Sequence, residues 1–177
     1  MKPFSILFFS FFIGVLAGNS FAADPKMPPP PSTPQFEMIK SLEGTWVGTK
    51  EMEGKKEPVE VRYRVTSGKS AVEETLFPGT PHEMVSVYFV DGADLKMTHY
   101  CALGNQPTMK ISGSKRNRKA KTISFQMVSA TGMQSPKDPH MGALTLTLKR
   151  NDQLTQEWTL FSPQGKETSV FRYKRVK

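Results

Sequence analysis

From Gly44 onward the chain is a succession of short runs in which apolar and polar residues alternate, with turn-forming residues between one run and the next. Alternation at period two places successive side chains on opposite faces of a strand. Such runs fall at residues 45–52, 59–67, 71–77, 84–90, 95–103, 108–114, 122–129, 143–149, 154–162 and 169–176. Between them stand Gly54, Ser67-Gly68, Pro78-Gly79, Asp91-Gly92, Gly104-Asn105, Asn117, Asn151-Asp152 and Pro163-Gln164-Gly165. No segment after Ser41 shows a helical period. Short strands at regular spacing with short connections predict an all-β domain, an antiparallel up-and-down barrel of about eight to ten strands. A short helix over 35–41 precedes it, with Thr33 as cap and Pro34 suited to its first turn.

The alternation also assigns faces. In 95–103 the odd positions Leu95, Met97, His99, Cys101 and Leu103 point inward. Leu144, Leu146 and Leu148 do so in 143–149, and Ile123, Phe125 and Met127 in 122–129. Leu154, Gln156, Trp158 and Leu160 share one face of 154–162. In the last run Phe171, Tyr173 and Arg175 oppose Arg172 and Lys174.

The N-terminus has a different composition. Lys2 precedes an apolar stretch over 4–16, and Ser20 and Ala22 supply the small residues that a signal peptidase accepts. Residues 1–22 therefore read as a secretory signal cleaved after Ala22. The apolar stretch is shorter than the ~20 residues that span a bilayer, so no transmembrane anchor is expected after cleavage. Residues 23–34 form a proline-rich linker and 35–177 the barrel domain. The expected location is periplasmic or secreted. The lone cysteine, Cys101, cannot form an internal disulfide, and burial is the expectation for a free thiol in an oxidising compartment.

The formal net charge is +8. Much of it gathers at one hairpin, Lys115-Arg116-Asn117-Arg118-Lys119-Ala120-Lys121. No aromatics interleave these cations for base stacking, and with export this argues against a nucleic-acid partner. An anionic envelope surface is the partner such a run can meet, and a solvated hairpin that discourages edge pairing is its structural reading.

Two motifs carry a resemblance. Leu42-Glu43-Gly44-Thr45-Trp46-Val47-Gly48, an L-x-G-x-W run opening the first strand, is similar to the start of lipocalins, fatty-acid-binding proteins and other calycins. Met97 to Pro107, containing His99-Tyr100-Cys101 and Gly104-Asn105-Gln106-Pro107, resembles a family of bacterial lipocalin-like proteins carrying the same HYC-x-x-GNQP run. The resemblance spans roughly residues 36–176. It implies a calycin-like barrel whose base is built by Gly44 and Trp46, with Arg172 or Arg175 lying across the indole as a cation–π contact. It brings no activity with it.

The candidate binding residues are Glu74, Tyr88, His99, Cys101, Asn105, Gln106 and Gln156. His99 and Cys101 lie two apart on one face. Such a pair can be base and nucleophile or two metal ligands, or an interior histidine beside a small buried hydrophobe. Glu74 points inward if Val72 and Leu76 do, and then needs a partner: His99, Arg62, Arg64, Tyr63 or Tyr88. Otherwise it stands on a solvated edge. Asn105 and Gln106 frame the barrel mouth or serve the turn. His140-Met141, with Met133 nearby, lacks the ligand number of a copper site; no metal site and no catalytic residue is assigned, and no cofactor is identified. The pattern predicts an exported barrel binding a small apolar or amphipathic molecule. The alternatives are an enzyme using His99 with Glu74 or Cys101, and a barrel binding haem or a metal through His99.

Overall fold

The computed structural model describes residues 29, 30, 32–52 and 55–176. The export signal read at 1–22 and most of the proline-rich linker lie outside the described residues. Among the described residues no helix is long and apolar enough to cross a membrane.

One helix, α1 (Pro34–Lys40), precedes ten strands: β1 (Gly44–Met52), β2 (Lys55–Thr66), β3 (Ala71–Leu76), β4 (Met84–Asp91), β5 (Asp94–Tyr100), β6 (Gln106–Arg116), β7 (Ala120–Thr131), β8 (His140–Lys149), β9 (Gln153–Ser162) and β10 (Gly165–Arg175). Each strand pairs antiparallel with its neighbours in sequence, and β1 pairs with β10 to close the barrel. An even number of antiparallel strands lets the first and last meet in the required sense. Closure leaves no edge strand. Alternate turns consequently collect at opposite ends. The base holds α1 and the β2–β3, β4–β5, β6–β7 and β8–β9 turns. The mouth holds the β1–β2, β3–β4, β5–β6, β7–β8 and β9–β10 turns.

The helix closes the base as a plug. Thr33 Oγ1 accepts a hydrogen bond from Phe36 N at 3.1 Å, and Pro34 opens the first turn. Phe36, Ile39 and Leu42 are fully buried against Trp46 and the lower barrel. Removing such side chains from water contributes roughly 1.5–3 kcal/mol each. The interior above them is filled by Val72, Leu95, Met97, Met109, Ile123, Phe125, Leu144, Leu146 and Leu154, the inward set that alternation selects.

Two residues make the seam between β1 and β10. Arg175 lies with its guanidinium carbon 4.2 Å from the Trp46 ring centroid. It also donates to the carbonyls of Ser41 (2.8 Å) and Glu43 (2.6 Å) and bridges to Asp152 (3.3 Å). Trp46 Nε1 donates to Leu42 O at 2.8 Å. Arg175 is thus the arginine across the indole. Arg172 faces outward, where its nearest acid is Glu51 at 3.5 Å, because it lies an odd number of positions from Arg175. Gly44, at φ +120, sits beneath Arg175, whose Nη1 would be 3.4 Å from an added Cβ. Gly48 is tighter still: a Cβ there would stand 1.9 Å from the Arg172 carbonyl oxygen.

One run ends earlier than alternation suggests. β5 stops at Tyr100, and residues 101–105 turn, with Gly104 N bonded to Cys101 O (2.9 Å) and Cys101 N to Asn105 O (3.1 Å). Gly104 takes a positive φ of 82°. The turn throws Leu103 outward to 54% exposure instead of into the interior.

Arg175→Ala is expected to lower unfolding free energy by about 2–4 kcal/mol, since it loses the cation–π contact and charged hydrogen bonds together. Arg172→Ala should change it by less than about 0.5 kcal/mol. Urea unfolding of the two variants checks the contrast. Gly48→Ala should be worse than either, because its clash is with backbone.

Candidate functional site

Most polar side chains of the barrel interior gather around one row. Register places Tyr63 opposite Glu74, Glu74 opposite Ser86, and Ser86 opposite His99, on β2, β3, β4 and β5 in turn. All four point inward and are buried. Glu74 Oε1 accepts from Tyr63 Oη at 2.6 Å and from Gln156 Nε2 at 2.5 Å, and Oε2 accepts from Tyr88 Oη at 2.9 Å. Gln156 Nε2 also reaches Tyr63 Oη at 2.6 Å, and its Oε1 accepts from Trp158 Nε1 at 3.1 Å. These bonds are mutually consistent: the indole donates to the amide oxygen, the amide nitrogen donates onward, and both phenols donate to the carboxyl.

Glu74 has no ion-pair partner among the described residues. Arg62 and Arg64 face outward, bonded to Glu60 and Glu73. Burial pushes the Glu74 pKa up, and the hydrogen bonds from Tyr63, Tyr88, Ser86 and Gln156 offset part of that rise. Burial likewise raises the Tyr63 and Tyr88 phenols well above their ordinary value, so both remain donors.

His99 ends the row. Its Nδ1 lies 3.0 Å from Ser86 Oγ, and its ring packs 4.7 Å from Trp158 between centroids. The Ser86 hydroxyl also acts on the Glu74 carboxyl. The Ser86 contact occupies Nδ1, and Nε2 is the ring nitrogen left over. Burial pulls the His99 pKa down from 6.5 to about 4, so the ring is neutral at physiological pH. His99 Nε2 is buried and has no hydrogen-bond partner.

The ring also lines a small cleft of about 110 Å³ toward the mouth, together with Lys50, Leu76, Phe77, Met84, Met141, Trp158, Ser169 and Phe171. Its walls are almost wholly apolar. Lys50 Nζ lies over one of them, 5.7 Å from the Phe171 ring centroid.

The seven nominated residues therefore separate. Glu74, Tyr88 and Gln156 form the buried network beneath the cleft. His99 belongs to both network and cleft. Cys101, Asn105 and Gln106 are not among the cleft's lining residues; they lie in and beside the β5–β6 turn. Asn105 Nδ2 donates to Pro139 O at 2.9 Å. Gln106 donates to Gly104 O at 3.1 Å and accepts from Thr131 Oγ1 at 3.0 Å. These bonds brace two mouth loops. Burial raises the Cys101 pKa and keeps the thiol protonated, a poor nucleophile. Neither Cys101 nor Glu74 is a direct hydrogen-bond partner of His99, whose side-chain partner is Ser86. Among the described residues no group of three or more His, Cys, Asp or Glu is placed to hold a metal, and the cleft is far smaller than a haem.

Sequence reasoning put Trp158 on the face of Gln156 without nominating it for the site, and it passed over Ser86, which alternation puts on the face of Tyr88.

No family model matches the chain, and no curated protein matches it either. Among solved structures it is similar to the crystal structure of Rv2717c from M. tuberculosis, with a TM-score of 0.60 at 12% identity, covering 83% of this chain and 100% of that one. At that identity the likeness is one of fold: a closed, antiparallel, all-β barrel of the calycin-like kind.

Proposed function

We propose that this is an exported lipocalin-like barrel that holds a small apolar or amphipathic molecule in the cleft at its mouth. One observation carries the reading: His99, whose Nε2 is buried without a hydrogen-bond partner, lines a cleft with apolar walls. An unpaired buried polar atom costs roughly 1–3 kcal/mol, and a ligand hydroxyl, which both donates and accepts, recovers it. Apolar walls with one oriented polar group are the ordinary make-up of a small-molecule site. Export rests on the N-terminal signal pattern, and membership of the lipocalin-like family on the HYC-x-x-GNQP run.

The size of the cleft limits the ligand. About 110 Å³ compares with the cavity of about 150 Å³ that takes up benzene. The cleft therefore accepts one small ring or the end of an alkyl chain, and any remainder of the molecule projects past Lys50. An anionic group on that remainder meets the Lys50 ammonium.

Mass spectrometry of the denatured, freshly purified protein is expected to show a released small molecule, absent from a His99→Phe preparation. In calorimetric titration, benzyl alcohol should bind at least about tenfold more tightly than toluene, the worth of one hydrogen bond to a buried ring nitrogen. His99→Phe should remove that preference. Equal affinity for the two compounds in the parent protein would sink the role given to Nε2.

The same histidine sets a pH dependence. Its folded pKa lies below its unfolded value, so the unfolded chain binds the extra proton first as pH falls. Stability is full above pH 6.5 and declines as the pH falls toward about 4. The loss reaches at most about 3 kcal/mol. Melting curves across that range should flatten in His99→Phe.

A further inference from the structure

The base of the barrel carries a second feature, which the cleft does not use. The β6–β7 hairpin and the β8–β9 turn meet there around a groove of about 310 Å³ lined by Arg116, Lys119, Lys121, Lys149 and Arg150, among others. Arg118 stands at the hairpin tip beside it. Among the described residues none of these six cations has an ion-pair partner; Asp152, which also lines the groove, is bonded to Arg175. Elsewhere on the barrel paired and unpaired cations are interspersed, the pairs including Arg62–Glu60, Arg64–Glu73, Lys96–Asp91 and Lys110–Asp94. At the base six unpaired cations gather in one place.

Two details show that the fold holds these charges together against their repulsion. Arg116 and Lys121 are direct cross-strand partners, and like charges placed opposite one another destabilise a sheet. The turn between them is nevertheless firmly made: Asn117 Oδ1 accepts from Lys119 N (2.8 Å) and Ala120 N (2.9 Å), and Asn117 N bonds Ala120 O (3.0 Å). Arg150 N bonds Lys119 O at 3.3 Å, which fixes the second turn to the first.

The chain also enters the barrel at this end. Pro34, Gln35 and Met38 of α1 line a smaller depression with Lys115, Arg116 and Lys121.

We propose that the base docks on an anionic phospholipid surface through Arg116, Arg118, Lys119, Lys121, Lys149 and Arg150, so that the ligand cleft opens away from the membrane. Lipid phosphates supply the missing counter-charges and relieve the Arg116–Lys121 opposition. The experiment is co-sedimentation of the exported, purified protein with vesicles. Equal parts phosphatidylcholine and phosphatidylglycerol should bind it, phosphatidylcholine alone should not, and salt near 1 M, where the Debye length is about 3 Å, should release it. Arg116→Gln with Arg150→Gln should weaken binding about 25-fold, some fivefold per charge. Arg116→Lys with Arg150→Lys should retain it, and Lys137→Gln with Lys166→Gln, at the mouth, should leave it unchanged. Three results would each overturn the proposal: no binding to the anionic vesicles, equal loss from the mouth pair, or binding of soluble tripolyphosphate without binding of vesicles.

Discussion

The pairing of β1 with β10 is the constraint on which the rest of the molecule depends. Every other pairing joins neighbours in sequence and could exist in an open sheet. Only this one turns the inward face into an interior. The seam is demanding because the two strands approach closely enough that Gly48 has no room for a methyl group. It is secured by Arg175, which joins the last strand to the indole of Trp46 and to the carbonyls that follow α1. The base is thus plug, seam and anchor at once, and the polar row and the cleft above it exist because it holds.

Within that closed interior, Glu74 is an unusual occupant. A buried carboxyl without a cation is costly. Here the cost is offset by neutral donors alone, two phenols and an amide, with the Ser86 hydroxyl completing the shell. Each donor is itself in a fixed orientation, because Trp158 sets the amide of Gln156 and His99 sets Ser86. The network extends from β2 to β5 by register and crosses the barrel to β9 through Gln156. It holds the histidine ring where it lines the cleft.

Much of this was legible before any coordinates. Period-two alternation placed Glu74, Gln156, Tyr88 and His99 on inward faces, because strand geometry leaves no other option once one face is apolar. It misread Leu103, since the turn at Cys101 breaks the strand on grounds of backbone conformation, which a hydropathy pattern does not record. It put Arg175 and Arg172 on opposite faces but left open which of them lies across the indole, because alternation does not record how far a long side chain reaches. The extent of interior filling was beyond its reach too: volume depends on how side chains from ten strands interlock, which no single run reveals. The resulting cleft is smaller than a calycin-like outline suggests, and it engages only one of the seven residues nominated for binding.

The topology has a consequence for the order in which the protein is assembled. Trp46 and Arg175 are paired across the seam although most of the chain lies between them. Contacts of that separation are entropically expensive and form late. When the chain emerges vectorially from its N-terminus, the first nine strands can add one after another, but the interior stays open along one side until the eleven residues of β10 arrive. A chain truncated within β10 would therefore leave an apolar interior open to solvent and two unpaired strand edges, a template for self-association.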